Sequence, residues 1–299
     1  MNPSEKNEQP FLASVLHPTD FSPASNTAFV HALALSLRLQ SRLTLLHVGP
    51  EHADEVPWHR FPGVRKTLEC WGLMKTDSPR SATFDDLALR VKKQALRGRN
   101  PTAAILDYLD AHPTDLIVLA THGRDGFPRW IHRAVAEPVA RRSHTMTLFV
   151  PQGVGGFVSI RNGGVALRRI LLPIDRHPHP QTGLDAAARM AGLLGNEPTD
   201  ITLLNVGDEA DVDEILFATE AVAPEGPGWF WSRIQQHGDV VETVRTAAVE
   251  TQADLIVMVT AGHEGILDAL RGSTTEQVLR HAPCPVLAVP AVIPSTPSG

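Results

Sequence analysis

The chain repeats itself, and the repeat limits its folding more than any single motif does. TDLIVLATHG at 114–123 returns as ADLIVMVTAG at 253–262. The same offset of 139 carries Glu137 and Val139 onto Glu276 and Val278, and TLFVP at 147–151 onto VLAVP at 286–290. With a longer offset, VLHPTD at 15–20 pairs with ILLPID at 170–175, and LTLLHVG at 43–49 with ITLLNVG at 201–207. Self-similarity in a fixed order marks repeated structural units. Here two copies of one unit fill nearly all of the 299 residues. QGVGGFVSIRNGG at 152–164 is glycine-rich and has no helical period, as a linker or a short hairpin would. The expected units are 1–155 and 165–299, joined through 156–164.

Within each copy short apolar runs alternate with longer helical patterns, which predicts parallel strands joined by crossover helices. The expected strands are 12–18, 42–48, 90–97, 115–121 and 146–150, then 168–174, 200–206, 230–237, 254–260 and 285–289. Ser22-Pro23 announces the first helix, a cap residue followed by proline at the first helical position. Its stripe of Ala28, Ala32, Leu35 and Leu39 keeps the spacing of a face laid on a sheet. An equivalent helix is expected at 182–195. In such sheets ligands sit beyond the carboxyl ends of the strands, where neighbouring crossovers diverge. That points to Asp20 and 120–126 in the first copy, and to Asp175 and 259–265 in the second.

Composition removes several function classes. A net charge of −6 and a pI near 6.1 lack the basic footprint of a nucleic-acid binder. No run of about 18 apolar residues and no apolar leader occur, so no membrane partner is expected and the cytoplasm is the default location. Cys70 and Cys284 are too few for a disulfide framework and form no CxxC pair. His177 and His179 lack a third ligand at metal spacing and read as an exposed turn. No Walker loop is present, and no paired base and nucleophile are evident, so no enzymatic turnover is expected.

The PTD and PID endings of strand one, the loops ATHGRDG and TAGHEG, and GSTTEQVLRHAPCPVLAVP resemble the universal stress protein family, in a tandem, two-domain form. The resemblance implies an α/β fold of two tandem Rossmann-like five-stranded parallel sheets, order 3-2-1-4-5, with helices on both faces. It also implies dimer-like association through the last strand, here between the two copies as a pseudo-dimer or between chains as a homodimer. Some family members bind ATP and others bind none. The nucleotide-binding kind carry a loop G-x2-G-x9-G-[ST]. In the second copy this loop reads Val259, Gly262, Gly272-Ser273, so the first glycine is replaced. A Gly-Ser turn running into a helix at 274–281 exposes N–H groups toward an anion, and Ser273, Thr274 and Thr275 add hydroxyls. Ser273 to Glu276 also spells a capping box, which needs no ligand. Val259 brings a β-branched side chain to where the family backbone approaches the nucleotide.

By the same resemblance the nucleotide set includes Pro173, Ile174, Val206 and Met258 as pocket walls. Asp175 is a hydrogen-bond acceptor for ribose or adenine, or else caps the first helix or starts a turn. ATP, with or without Mg²⁺, is the implied ligand. The first copy reads Ala120, Gly123, Arg133-Ala134 and has lost the Gly-Ser pair. Its weaker site comprises Thr19, Asp20, Val48, Gly123 and Arg133. Arg124, Arg129 and Arg133 either grip an anion or solvate a surface loop, and Trp130 could plug the crevice. The aromatic and basic stretch at 50–80 and the acidic stretch at 208–228 both follow strand two, as lids, interdomain contacts or plain insertions. The alternative to nucleotide binding is a tandem scaffold with both crevices vestigial.

Overall fold

The computed structural model of the chain describes residues 12–49, 56, 58, 63–76, 87–121, 133–154, 156–195, 198–207, 219, 223–260 and 274–291. The first half runs β1 (Ser14–Pro18), α1 (Pro23–Leu39), β2 (Arg42–Gly49), α2 (Val64–Cys70), β3 (Arg90–Arg97), α3 (Pro101–Ala111), β4 (Leu116–Thr121), α4 (Arg133–Ser143) and β5 (Met146–Pro151). The second runs β6 (Arg169–Pro173), α5 (Gln181–Leu194), β7 (Thr199–Val206), β8 (Trp229–Gln236), α6 (Val240–Glu250), β9 (Leu255–Thr260), α7 (Thr274–His281) and β10 (Val286–Pro290).

The strands form one sheet of order β3-β2-β1-β4-β5-β10-β9-β6-β7-β8. Each half is parallel within itself and has the order 3-2-1-4-5. The halves meet where β5 and β10 pair antiparallel, Phe149 opposite Val286 and Thr147 opposite Ala288. The two sheets expected from the repeat are therefore one continuous sheet.

Ser22 caps α1, its Oγ accepting from Ser25 N–H at 3.1 Å, and Pro23 opens the helix. Ala28, Ala32 and Leu35 of the predicted stripe are buried, but so are Phe29, His31 and Leu33. For His31 the extra burial comes from a segment distant in the chain. Residues 156–166 form a hairpin that closes with Ala166 N–H donating to Phe157 O at 2.8 Å, and Phe157 stacks edge-on against His31. One apolar cluster thus runs across both halves, joining α1, α2, α5 and this hairpin on one face of the sheet. A second fills the other face beneath α3, α4, α6 and α7.

A repeated aspartate ties each half together. Asp115 Oδ2 accepts from both the backbone N–H and the hydroxyl of Ser14, each at 2.8 Å. At the corresponding place Asp254 Oδ2 accepts from Arg168 N–H at 3.0 Å and Arg169 N–H at 2.9 Å. Each carboxylate pins the start of the half's first strand beside its fourth strand. Charge-assisted bonds to backbone N–H groups are among the stronger ones available.

Candidate functional site

Where β1 and β4 lie side by side, only Val15–Leu116 and Leu16–Ile117 are paired, whereas β1 pairs with β2 over five positions. Beyond Leu16 the two strands splay. The second half does the same, with β6 and β9 paired only at Ile170–Leu255 and Leu171–Ile256. A crevice therefore opens at the carboxyl edge of each half, at the switch point where open α/β sheets take their ligands.

In the second half this edge gathers much of the expected set. Pro173 ends β6, and buried Ile174 accepts at its carbonyl from Asn205 Nδ2 at 3.0 Å. Asp175 is exposed, its Oδ1 accepting from Arg176 N–H at 2.6 Å, so it starts a turn and does not cap α5. Val206 ends β7, half-buried. Met258 is buried toward α6 and α7. Thr274 and Thr275 open α7, exposed and half-buried respectively. Gly262, Gly272 and Ser273 lie outside the described residues.

Val259 lies within extended strand β9. Its Cγ2 would be 2.6 Å from a Cβ placed on Gly183 of α5, and Leu172 Cδ1 would be 3.0 Å from that same Cβ. The Cγ2 methyl of the valine thus occupies space that a glycine on the facing helix leaves open.

The first half is built differently at the same level. A cavity of about 160 Å³ lies between the ends of β1, β2 and β4 and helices α3 and α4. Thr19, Asp20 and Val48 line it, as the sequence places them, together with Ser25 and Ala120. Arg133 is the first residue of α4; Gly123, Arg124, Arg129 and Trp130 lie outside the described residues. Beneath the cavity His17 is fully buried, with Nδ1 2.9 Å from Val118 O. A carbonyl only accepts, so Nδ1 carries the proton and Nε2 is an acceptor. Ser25 Oγ lies 3.2 Å from that Nε2 and 2.8 Å from Thr19 Oγ1. Burial pushes the His17 pKa down to about 4 despite the Val118 carbonyl, nearby Asp20 and Ser25, which favour the charged form. The ring is neutral at ordinary pH. One sequence signal marks this cluster: VLHPTD carries histidine where ILLPID carries leucine.

Above Thr19, His47 Nδ1–H donates to Thr19 O at 2.8 Å, and the His47 ring packs 4.4 Å from Phe21. Trp58, from the stretch after β2, meets Phe21 edge-on at 5.3 Å with Lys93 Nζ over its ring. Part of that stretch therefore packs on the carboxyl edge. Within 208–228, Trp231 Nε1–H donates to Pro224 O at 3.0 Å, which holds the end of the acidic segment against β8. His177 and His179 are exposed, and His179 Nδ1 accepts from Gln181 N–H at 3.3 Å. Among the described residues no three His, Cys, Asp or Glu side chains converge as metal ligands would. Cys284 is buried, which pushes its thiol up to about 12, so it is inert at neutral pH.

The model of the universal stress protein family matches residues 13–151 and 208–290. The chain belongs to the universal stress protein family. A universal stress protein of Synechocystis sp. is 31% identical to it over 145 residues, 43% of this chain and 90% of that protein. The crystal structure of a universal stress protein from Archaeoglobus fulgidus superposes with a TM-score of 0.65 and 17% identity, covering 95% of this chain and 100% of its own. A protein of unknown function from Pseudomonas aeruginosa PAO1 gives 0.57 and 16%, covering 93% of this chain and 92% of its own. At these identities the structural likeness concerns the fold, which this universal stress protein shares along nearly its whole length.

Proposed function

We propose that this universal stress protein binds one adenine nucleotide, ATP with or without Mg²⁺, at the carboxyl edge of its second half, without turning it over at an enzymatic rate. The observation that carries the reading is the start of α7. The helix opens at Thr274, directly behind Gly272-Ser273, on the edge where β6 and β9 splay. The N–H groups of the first turn and the positive end of the helix suit a phosphate there. Pro173, Ile174, Val206 and Met258 would wall the base, Asp175 would accept from the ribose or adenine, and Gly262, Ser273, Thr274 and Thr275 would hold the phosphates. The reading is supported by Val259 Cγ2, which lies against Gly183 of α5.

The first half, with Arg133-Ala134 in place of Gly-Ser, acts as the structural partner in an intramolecular pseudo-dimer. A homodimer would need a surface other than β5 and β10, which already pair with each other. Turnover has little support. The Ser25–His17 contact resembles a nucleophile and base, but a histidine held near pKa 4 is a poor proton acceptor at neutral pH. A cytoplasmic location fits the reading, and no helix of the described residues is long and apolar enough to cross a membrane.

Calorimetric titration with ATP and Mg²⁺ tests the proposal. One site per chain is expected, abolished by Gly272→Val and weakened by Ser273→Ala with Thr274→Ala. Absence of heat at millimolar ATP, with no nucleotide released from heat-denatured protein, would overturn it in favour of a scaffold. A turnover above roughly one per second would overturn the non-enzymatic part.

A further inference from the structure

The two crevices have diverged in their floors as well as in their loops. At the matching positions of the second half stand Leu172, Ile174 and Gly183, with Val259 Cγ2 against the glycine. In the first half the matching positions of the repeat hold His17 and Thr19, and Ser25 sits beneath the ring as Gly183 sits beneath Leu172. Here three polar side chains, each more than nine-tenths buried, are joined by hydrogen bonds, and two of them line an open cavity.

We propose that the cavity of the first half binds a small uncharged ring compound bearing an amide, hydroxyl or ring N–H, and carrying no phosphate. The proposal rests on the reading that phosphate binding belongs to the second half. Size comes first: at about 160 Å³ the cavity matches engineered apolar cavities of about 150 Å³ that take up benzene. The walls are Leu46, Val48, Ile105, Leu119 and Val135, which suit the faces of a ring. At one end Thr19 and Ser25 offer hydroxyls to a donor or acceptor on that ring. Among the described residues that line the cavity Asp20 is the charged one and no lysine or arginine occurs, which disfavours an anion. A cation would leave water for mostly apolar walls and a neutral imidazole beneath the floor, at a cost that one exposed carboxylate does not offset.

A matched set of probes on the full chain tests this: benzamide, benzoate and benzamidine share one ring and differ in charge. Saturation-transfer NMR at neutral pH and millimolar concentration should show benzamide binding and neither ion competing with it. Val48→Phe, which fills the cavity, should abolish the signal. Ser25→Ala and Thr19→Val should each weaken binding by about threefold to tenfold, the worth of one hydrogen bond, with folding checked by thermal melting. Benzamide failing to bind folded protein, binding unchanged by Val48→Phe, or either ion binding more tightly would each overturn the proposal. A parallel ATP titration separates it from the second-half reading. If ATP displaces benzamide and Val48→Phe abolishes both, phosphate ligands use this cavity and the proposal falls. If ATP fails to bind anywhere while benzamide binds as described, the proposal stands and only the second-half reading is lost.

Discussion

Val259 and Gly183 are a fitted pair, the valine Cγ2 lying 2.6 Å from where a Cβ on the glycine would stand. Where the family loop has its first glycine on the strand, this half carries its glycine on the facing helix. Gly183→Ala should therefore destabilise by about 1–3 kcal/mol through overpacking, and the better helix propensity of alanine, up to about 1 kcal/mol, offsets only part of that. Adding Val259→Ala should recover most of the loss, a non-additivity that urea unfolding of the two single variants and the double variant would reveal. Strict additivity would mean that the two residues do not share this space.

Asp254→Ala should cost about 2–3 kcal/mol, the scale for hydrogen bonds to a charged group, because Arg168 N–H and Arg169 N–H lose their acceptor at the start of β6. Asp115→Ala should cost a similar amount through Ser14. Amide exchange should quicken at Arg168 and Arg169 in the first variant and at Ser14 in the second, leaving the other half protected.

His17 and His31 give a pH signature. Burial lowers each from the ordinary 6.5 to about 4, while the unfolded chain keeps the ordinary value. As pH falls below 6.5 the unfolded state takes up protons first. Stability is therefore full above pH 6.5, declines between 6.5 and about 4, and levels off below. At pH 5 each histidine should have removed about 2 kcal/mol. His31 Nε2 has no hydrogen-bond partner among the described residues, so His31→Leu should be tolerated at pH 7.5 and should roughly halve the loss of stability measured by urea unfolding at pH 5. An unchanged loss would count against a neutral buried His31.

Gly163 takes φ +67, and a Cβ there would stand 2.4 Å from Trp71 Cε3, while Trp71 Nε1–H donates to Ile160 O at 3.0 Å. Gly163→Ala should cost about 1–3 kcal/mol, from overpacking and a strained backbone. Loss of the Trp71 hydrogen bond should shift its fluorescence at the same time. A variant with unchanged stability would mean the hairpin can move off Trp71 freely.

Much of the fold was legible because each half reports it twice. Strands such as Leu116–Thr121 and Leu255–Thr260 are short apolar runs in matching order, and Ser22-Pro23 marks α1 without reference to anything distant. What stayed hidden is pairwise. Periodicity along α1 cannot register that a hairpin more than a hundred residues later covers His31 from the other side. Nor does a run such as TLFVP announce that its partner is VLAVP in the opposite direction. The bulk of Val259 is visible in the sequence, but the room for it is a property of Gly183, and only folding brings the two together. At the first-half site Asp20 follows from a strand end and Thr19 and Val48 from the family resemblance, whereas Ser25 reaches the cavity only through its seat on α1.

The antiparallel seam between β5 and β10 carries a consequence for mass action. Two separate chains meeting along their last strands part on dilution, and their melting temperature rises with concentration. Here a tether shorter than twenty residues holds both sides of the seam at a high effective concentration whatever the bulk concentration. The pairing of a retained loop with an altered one is therefore fixed at one to one, and neither half exchanges its partner for a copy of itself without first opening the sheet.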